Sequence, residues 1–333
     1  MNAYIKDIAY YLPERVVTNE ELVKEFPEWS VEKIADKVGV LERHIAAPDE
    51  TATDMAVKAA EALFARGTVQ QSEIDFVLLC TQSPDYFLPS SACVIQDRLG
   101  IPTGCGALDF NLGCSGYEYG LALAKGLIVS GVSKNVLLLT AETYNKYLHP
   151  RDKGNRTIFG DGATATVVST SGFAGIGQFN LGTDGSGAKD LIVKTGASRQ
   201  PEKCDDLSFD EGGNPRSSDY LFMDGSEIFM FTLVKVPKML KAVLAANGLQ
   251  KENIDLFVFH QANKYMLEHL RKKLKIDDDK FFVNLEKVGN TVSSTIPIAL
   301  CDARAKEKLK GNVLLAGFGV GLSWGATVLH ICE

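Results

Sequence analysis

Short apolar runs alternate along this 333-residue chain with segments in which apolar positions recur at helical spacing. Such alternation predicts an α/β protein in which mixed or parallel strands are buried between helices on both faces. Residues 116–129 are apolar nearly all round, so we expect a helix buried at the centre of the fold. The predicted helices are residues 56–64, 92–99, 116–131, 228–247, 264–274 and 295–310.

Two long segments have neither pattern. Residues 146–156 and 195–219 are rich in Gly, Pro, Asp, Asn and Lys, and both lie near the middle of the chain. Loops of this length in a compact protein usually cover a site or are mobile. We therefore expect these two segments to do one or the other.

Four motifs of the first half recur in the same order in the second half. The pairs are 74–82 with 254–261, 110–115 with 283–285 plus 289–291, 136–140 with 313–317, and 162–167 with 325–329. One such match between apolar strands is expected by chance, but four in order indicate a duplication. We predict two similar halves, residues 1–172 and 173–333.

Composition narrows the classes of protein. Hydrophobic residues make up 45% of the chain and charged residues 23%, as in ordinary soluble proteins, and the net charge of −7 argues against nucleic-acid binding. The seven cysteines have no paired or CxxC spacing, which argues against a disulfide framework and against a metal site. The sequence has no signal-peptide pattern and no run of about 18 apolar residues. We expect a soluble cytoplasmic protein without a membrane span.

Cys114 is the first candidate for chemistry. It lies between small residues, after a strand-like run and before the predicted helix at 116–131. The exposed N–H groups and positive dipole end of a helix N-terminus favour a thiolate, which is the nucleophilic form of cysteine. A single cysteine is, however, more often an inert core residue. The local pattern alone leaves both interpretations open.

The duplication connects Cys114 with two further residues. His260 ends its predicted strand where the first half has Cys80, and Asn290 takes the place of Cys114. Corresponding strand ends of a pseudo-twofold fold meet near the axis, so Cys114, His260 and Asn290 are predicted to face one cavity. Taken singly, His260 fits a core histidine and Asn290 an ordinary turn residue. Their joint placement favours a shared site.

The motifs resemble one known family. They are Asn-Leu-Gly-Cys-Ser-Gly at 111–116, Phe-Gly-Asp-Gly-Ala at 159–163, His-Gln-Ala-Asn at 260–263, Gly-Asn-Thr at 289–291 and the glycine-rich segment 317–325. Together with residues 11–13 and 42–46, they make the chain similar from end to end to the β-ketoacyl-acyl-carrier-protein synthase III family. The resemblance implies the thiolase fold, a duplicated five-layered αβαβα sandwich, and a homodimer.

The resemblance also implies roles. Cys114 would accept an acyl group from a thioester of coenzyme A or a carrier protein, with its own N–H and one from Gly319, Val320 or Gly321 forming the oxyanion hole. Malonyl on an acyl carrier protein would then lose carbon dioxide, while His260 and Asn290 donate hydrogen bonds to the enolate. No tightly bound cofactor is implied. A neutral donor is needed in that step, so we expect a lowered pKa for His260.

Three alternatives stay open at this point. The acyl group could pass to an alcohol or amine without decarboxylation, or the chain could be a non-catalytic partner subunit. A condensing enzyme could itself start fatty-acid synthesis or serve a specialised pathway. The second role is slightly favoured, because the residues expected to bind coenzyme A depart from the family pattern, as described next.

The resemblance implies a substrate-binding set as well. Phe87 would reach across a dimer into the acyl pocket of its partner, near Gln82, while Asn263 and Gly225 would lie along the thioester and its pantetheine arm. The family places a tryptophan and an arginine around adenine. Here Trp29 lies farther from the turn at Gly39 than in that pattern, and Lys153 stands in place of the arginine. Lysine cannot stack as a planar guanidinium does, which argues against tight binding of coenzyme A. Lys37 is also predicted to bind substrate. Positive charge for docking an acidic carrier protein is predicted from Lys264, Arg271, Lys272, Lys273 and Lys275.

Overall fold

The structure, a computed structural model, describes residues 2–332. The strands in this range are β1 (Tyr4–Tyr11), β2 (Arg15–Thr18), β3 (Glu42–Ile45), β4 (Phe76–Cys80), β5 (Gly106–Phe110), β6 (Asn135–Glu142), β7 (Gly162–Ser169), β8 (Ala174–Thr183), β9 (Leu191–Ile192), β10 (Ser208–Phe209), β11 (Pro215–Arg216), β12 (Phe222–Met223), β13 (Leu256–Phe259), β14 (Asn312–Gly319) and β15 (Ser323–Ile331). The α-helices are α1 (Asn19–Glu25), α2 (Val31–Val38), α3 (Ala52–Phe64), α4 (Ser91–Arg98), α5 (Gly116–Val129), α6 (Lys153–Arg156), α7 (Gly225–Ala246), α8 (Lys264–Leu274) and α9 (Thr295–Ala305).

Nine strands form one sheet in the order β13-β14-β15-β8-β1-β7-β6-β4-β5. On one side of the β1–β8 pair, β7 and β6 are antiparallel and β6, β4 and β5 are parallel. On the other side, β15 and β14 are antiparallel and β14 and β13 are parallel. The two sides therefore have similar strand order, and three of the four motif pairs lie on corresponding strands, β4 with β13, β6 with β14 and β7 with β15. The fourth pairs the end of β5 and the turn after it with residues 283–291, which form no strand. The boundary of the two halves at residue 172 stays a prediction.

Helices form three layers around the two sides of the sheet. Helices α3 and α4 pack on the β1-β7-β6-β4-β5 side, and α7 packs on β8, β14 and β15 with α8 beside it. Helices α5 and α9 contact strands of both sides and lie between them. This arrangement is a five-layered αβαβα sandwich, which confirms the predicted fold class.

The central helix α5 lies unusually close to β4 and β6 because glycines face them. A Cβ added to Gly116 would lie 2.3 Å from Sγ of Cys80, and one added to Gly120 would lie 2.5 Å from a methyl of Leu138. Real Cβ atoms are not found at such distances, so only glycine fits at either position. The first two turns of α5 are thereby fixed against the strands of the N-terminal side.

The opposite face of α5 meets a second pair of glycines. Gly317 on β14 and Gly325 on β15 face Glu118, and an added Cβ would lie 2.3 Å and 2.8 Å from its side chain. Helix α5 is consequently held between the two sides of the nine-stranded sheet, close to the strands on each. This packing fixes the position of the residues just before the helix, Cys114 among them.

All six predicted helices are present, with differences at their ends. Helix α8 has the predicted bounds, whereas α9 ends at Ala305 rather than at residue 310. The chain turns there because Glu307 adopts a φ of 55°, in the left-handed region. The sequence analysis missed α1 and α2, which have only seven and eight residues. Their N-caps, Thr18 and Ser30, were the available signals.

The two predicted loops are only partly irregular. The first contains α6, and the second contains the short strands β10 and β11. Residues 214–217 of the second loop line a cavity of about 280 Å³ together with His149, Asn155 and Gly225. The loop therefore covers a cavity, which is one of the two outcomes that its length predicted.

Membrane spans, metal sites and disulfides were sought in residues 2–332. No helix in this range is long and apolar enough to cross a bilayer. The same residues include no group of three or more His, Cys, Asp or Glu side chains arranged to hold a metal ion. The seven cysteines are all free thiols.

The packing of α5 gives a stability prediction. Gly120→Ala forces a methyl against the fully buried Leu138 and is expected to destabilise the fold by about 1–3 kcal/mol. Gly126→Ala in the same helix meets nothing within 4 Å and is expected to stabilise by about 0.5–1 kcal/mol through helix propensity. Urea unfolding of both variants and the wild type measures the difference. Equal effects of the two substitutions would contradict this account of the packing.

Candidate active site

Cys114 lies in the turn between β5 and α5, one residue before the N-cap Ser115. The turn is closed by a hydrogen bond of 2.8 Å from the Gly116 N–H to the Gly113 carbonyl. A Cβ added to Gly319, at the end of β14, would lie 2.7 Å from the Cys114 sulfur. The strand end from the C-terminal side of the sheet is thus in direct contact with the cysteine.

The Cys114 sulfur is buried and faces backbone donors. Burial raises the pKa of the thiol to about 12, although N–H groups of Val320 and of Cys114 itself act in the opposite direction. Loss of solvation at this sulfur therefore outweighs the helix N-terminus, which by itself favours a thiolate. The same two N–H groups belong to the predicted oxyanion hole. Gly319 and Gly321, which were also predicted for the oxyanion hole, flank Val320 in the sequence.

His260 follows β13 directly and is 2% exposed. Its backbone N–H donates to the Ala316 carbonyl at 2.9 Å, which holds the residue at the end of the sheet. Ring atom Nδ1 lies 2.7 Å from the Thr295 hydroxyl, and the ring edge packs against Phe318. Burial lowers the pKa of His260 to about 3, in the predicted direction. The imidazole is therefore neutral at physiological pH.

Asn290 is held by backbone bonds on both of its sides. Its N–H donates to the Ile158 carbonyl at 2.9 Å, and its carbonyl accepts from the Gly160 N–H at 3.0 Å. The side-chain oxygen accepts from the Val292 N–H at 2.9 Å, and Nδ2 has a long bond of 3.4 Å to the Ala262 carbonyl. Nδ2 of Asn290 therefore keeps hydrogen-bonding capacity as a donor.

Contacts between these segments bring the three residues into one region. Asn290 contacts the carbonyl of Ala262, two residues after His260. Val292 and Val320 both lie within 3.2 Å of a Cβ placed on Gly113, the residue before Cys114. The segments that carry Cys114, His260 and Asn290 thus lie close together, and that the three side chains face one cavity stays a prediction. The chemical role of each side chain stays a prediction.

The predicted substrate residues divide into two groups. Gln82 lies at the site, where its amide donates to Asn111 at 3.0 Å and accepts from the Tyr144 hydroxyl at 2.5 Å. Asn263 caps α8, since its Oδ1 accepts from the Met266 N–H at 2.9 Å. Gly225 begins α7 and lines the 280 Å³ cavity.

The other group lies farther out. Lys153 donates to Glu28 at 2.9 Å and to the Gly212 carbonyl at 3.0 Å, which places it beside Trp29. Trp29 is partly buried, with Lys33 over its ring, and Lys37 is exposed on α2. Phe87 is 88% exposed and contributes nothing to the site of its own chain.

The sequence analysis missed two buried carboxyls near Cys114. Burial raises the pKa of Glu142, at the end of β6, to about 8, and raises that of Glu118 well above its usual range. Neither oxygen of Glu118 has a hydrogen-bond partner within the described residues. The available signal was an acidic residue inside an otherwise apolar strand or helix.

Two segments of this chain match known protein families. Residues 108–185 match the family described as 3-oxoacyl-[acyl-carrier-protein (ACP)] synthase III, and residues 244–331 match its C-terminal counterpart. Half of the chain is thereby covered, including Cys114, His260 and Asn290.

Individual proteins match over the full length. The chain is 36% identical to β-ketoacyl-[acyl-carrier-protein] synthase III of Caldanaerobacter subterraneus subsp. tengcongensis, over 96% of this chain and 95% of that protein. A crystal structure of a 3-oxoacyl-(acyl-carrier-protein) synthase III is 53% identical, with a TM-score of 0.97, and covers 99% of this chain and 100% of its own. The crystal structure of a 3-oxoacyl-(acyl-carrier protein) synthase from Burkholderia xenovorans LB400 is 37% identical with a TM-score of 0.91, and covers 99% of this chain and 94% of its own. The chain belongs to the β-ketoacyl-[acyl-carrier-protein] synthase III family and has the thiolase fold.

Proposed function

We propose that this enzyme condenses an acyl group held on Cys114 with a malonyl thioester on an acyl carrier protein, releasing carbon dioxide. The observation that carries the proposal is the convergence of a buried cysteine, two backbone N–H donors and two neutral side-chain donors. Such a set stabilises oxyanions, which form in both steps of the reaction.

The first step is transthioesterification. The sulfur of Cys114 attacks the carbonyl of the acyl thioester, and the N–H groups of Val320 and Cys114 stabilise the tetrahedral oxyanion. The bond to the carrier sulfur then breaks, and the proton of the cysteine ends on the departing thiol. The high pKa of Cys114 implies that this proton leaves as the substrate carbonyl is attacked, rather than before the substrate binds.

The second step forms the new carbon–carbon bond. The malonyl carboxylate leaves as carbon dioxide, and its electron pair moves into an enolate whose oxygen accepts hydrogen bonds from His260 and Asn290. The enolate carbon attacks the acyl-cysteine carbonyl, the carbon–sulfur bond breaks, and the Cys114 thiolate takes up a proton. The product is a 3-oxoacyl thioester on the carrier.

The low pKa of His260 discriminates between this reaction and transfer to an alcohol or amine. An acceptor of that kind needs a base to take its proton, and a group with a pKa of about 3 is a weak base. A neutral imidazole is instead well suited to donate a hydrogen bond to an enolate. The intact set of Cys114, His260 and Asn290 also argues against a non-catalytic subunit.

The surroundings of Lys153 favour a carrier-bound acyl donor over coenzyme A. Its ammonium is already paired with Glu28 and with a carbonyl of the 195–219 loop, so little charge is left for a nucleotide. Helix α8 and its C-cap offer a surface for an acidic carrier through exposed Lys264, Lys273 and Lys275. Arg271 is paired with Glu268 and Asp278, and the exposed Lys272 also lies 3.7 Å from Glu268.

A homodimer is supported by an apolar surface. Tyr86, Phe87 and Leu88 are 61%, 88% and 82% exposed. Three consecutive large apolar side chains are rarely so exposed on a monomer. Strand β5 lies at the edge of the sheet, and its Leu108 is 46% exposed. An open apolar edge strand of this kind is usually covered by a partner. A second copy of the chain would cover both features.

The covalent mechanism predicts a separation of the two steps. Cys114→Ala is expected to abolish acylation, whereas His260→Ala and Asn290→Ala are expected to keep it and to lose roughly 100- to 1,000-fold in carbon dioxide release. Intact-protein mass spectrometry with acyl-CoA and acyl-carrier donors measures acylation, and labelled malonyl carrier measures decarboxylation. Cys301→Ala is the matched control. Wild-type acylation without decarboxylation would overturn the condensing function and favour the acyltransferase alternative.

The low pKa of His260 predicts how stability depends on pH. Below pH 6.5 the unfolded chain binds a proton at this residue that the folded chain does not bind until about pH 3. Lowering the pH from 7 to 5 should therefore cost the wild type up to about 2 kcal/mol that His260→Gln does not lose. Urea unfolding at both pH values tests this, and parallel losses in the two proteins would show that His260 is charged when folded.

The dimer predicts sensitivity of one surface to charge. Phe87→Asp and Leu108→Lys are expected to shift the wild-type dimer toward monomer, because each buries an unpaired charge in the contact. Met230→Asp, at a residue of α7 that is 56% exposed, should leave the dimer intact. Light scattering after size exclusion at micromolar concentration gives the mass. A monomeric wild type would contradict the prediction.

A further inference from the structure

Glu142 is a buried carboxyl to which the reaction above assigns no role. Glu142 is fully buried, and each of its two carboxyl oxygens takes part in hydrogen bonds. Oε1 accepts from the Ser293 hydroxyl at 3.0 Å, Oε2 accepts from the Ser83 hydroxyl at 3.2 Å, and both accept from the Gln82 N–H at 3.1–3.2 Å. One carboxyl thus ties the turn after β4 to the turn that follows Asn290.

The second of these turns supports both proposed enolate donors. The N–H of Val292 donates to Oδ1 of Asn290 at 2.9 Å, which turns the amide so that Nδ2 is the free end. Thr295, three residues on, places its hydroxyl 2.7 Å from Nδ1 of His260 and 3.1 Å from the Val292 carbonyl. A neutral His260 that donates to the enolate through Nε2 accepts the proton of this hydroxyl at Nδ1. A shift of the turn would therefore move both donors together.

The turn is strained and needs external support. Val292 has a φ of 57°, in the left-handed region, which is costly for a β-branched residue. It is fully buried, and the hydroxyls beside it bond to β6: Ser293 to Glu142, and Ser294 to Thr140 at 2.8 Å. Such a conformation persists only where the surroundings hold it.

We propose that Glu142 is a positioning residue for the condensation step, holding the strained turn through Ser293 so that Asn290 and His260 are aligned on the enolate oxygen. This inference rests on the proposed function of those two donors. Cys114 is attached to β5 and α5 rather than to the turn, so its acylation depends less on the Glu142–Ser293 bond.

Four variants of Ser293, Glu142 and Ser83 separate this role from general stability. Ser293→Ala removes the bond to the turn, and Glu142→Gln keeps the volume but replaces one acceptor oxygen by a donor. Ser83→Ala is the matched control, because it removes a bond of similar length from the same carboxyl on the side away from Asn290. Ser293→Thr keeps a hydroxyl and tests for rescue.

The measurements are the rate of Cys114 acylation and the rate of carbon dioxide release from malonyl carrier by the acylated enzyme. Ser293→Ala and Glu142→Gln are expected to lower carbon dioxide release by about 10- to 100-fold, as for a small misplacement of catalytic groups, with acylation changed less than about threefold. Ser83→Ala should lower both rates alike or neither, and Ser293→Thr should recover most of the loss.

Two results would overturn the inference while leaving the proposed function in place. One is an unchanged ratio of the two rates in Ser293→Ala, and the other is the same change of ratio in Ser83→Ala. If Glu142→Gln does not fold, the two serine variants still decide the question. A wild-type acyl-enzyme that releases no carbon dioxide would instead refute the proposed function, and the inference with it.

Discussion

The place of Cys114, on which both steps of the proposed reaction depend, is set by the close packing of helix α5 between the two sides of the sheet. Gly116 and Gly120 bring the helix onto β4 and β6, and Gly317 and Gly325 bring β14 and β15 onto its other face. A helix held on both sides cannot tilt or slide without a clash. Cys114 therefore has a fixed place at the helix start, and the strand end with Gly319 meets its sulfur. The glycines thus set the geometry for a reaction in which none of their own atoms has a proposed part.

Burial at this junction also sets the charge of the site. It raises the pKa of Cys114 to about 12 and lowers that of His260 to about 3, so both side chains are neutral before substrate binds. A neutral, dry site does not stabilise any ion in advance, but its oriented N–H and amide dipoles act strongly on charge that forms there. The proposed reaction has that character, because an oxyanion or enolate appears only as bonds break.

The sequence predicted what depends on local pattern and on symmetry. The apolar run at 116–129 indicated a buried central helix, and the repeat related Cys114 to Asn290 before any contact was known. The helix N-terminus beside Cys114 is visible in the sequence, whereas the burial that raises the pKa of its thiol is a tertiary property. Glu142 was missed for the same reason: its partners Gln82 and Ser293 lie 60 and 151 residues away along the chain. Short helices such as α1 and α2 were missed because seven or eight residues give too few repeats of the helical period.

Strand β1 illustrates how the order of the chain differs from the order of the sheet. It is the first strand of the sequence, yet it lies in the middle of the sheet and pairs with β7, about 160 residues later, and with β8. On a ribosome it has neither neighbour until half of the chain has been made, and closing so long a loop is slow. The apolar face of β1 must therefore stay unpaired through much of synthesis. The first strand to emerge is thus among the last of the N-terminal side to find its place.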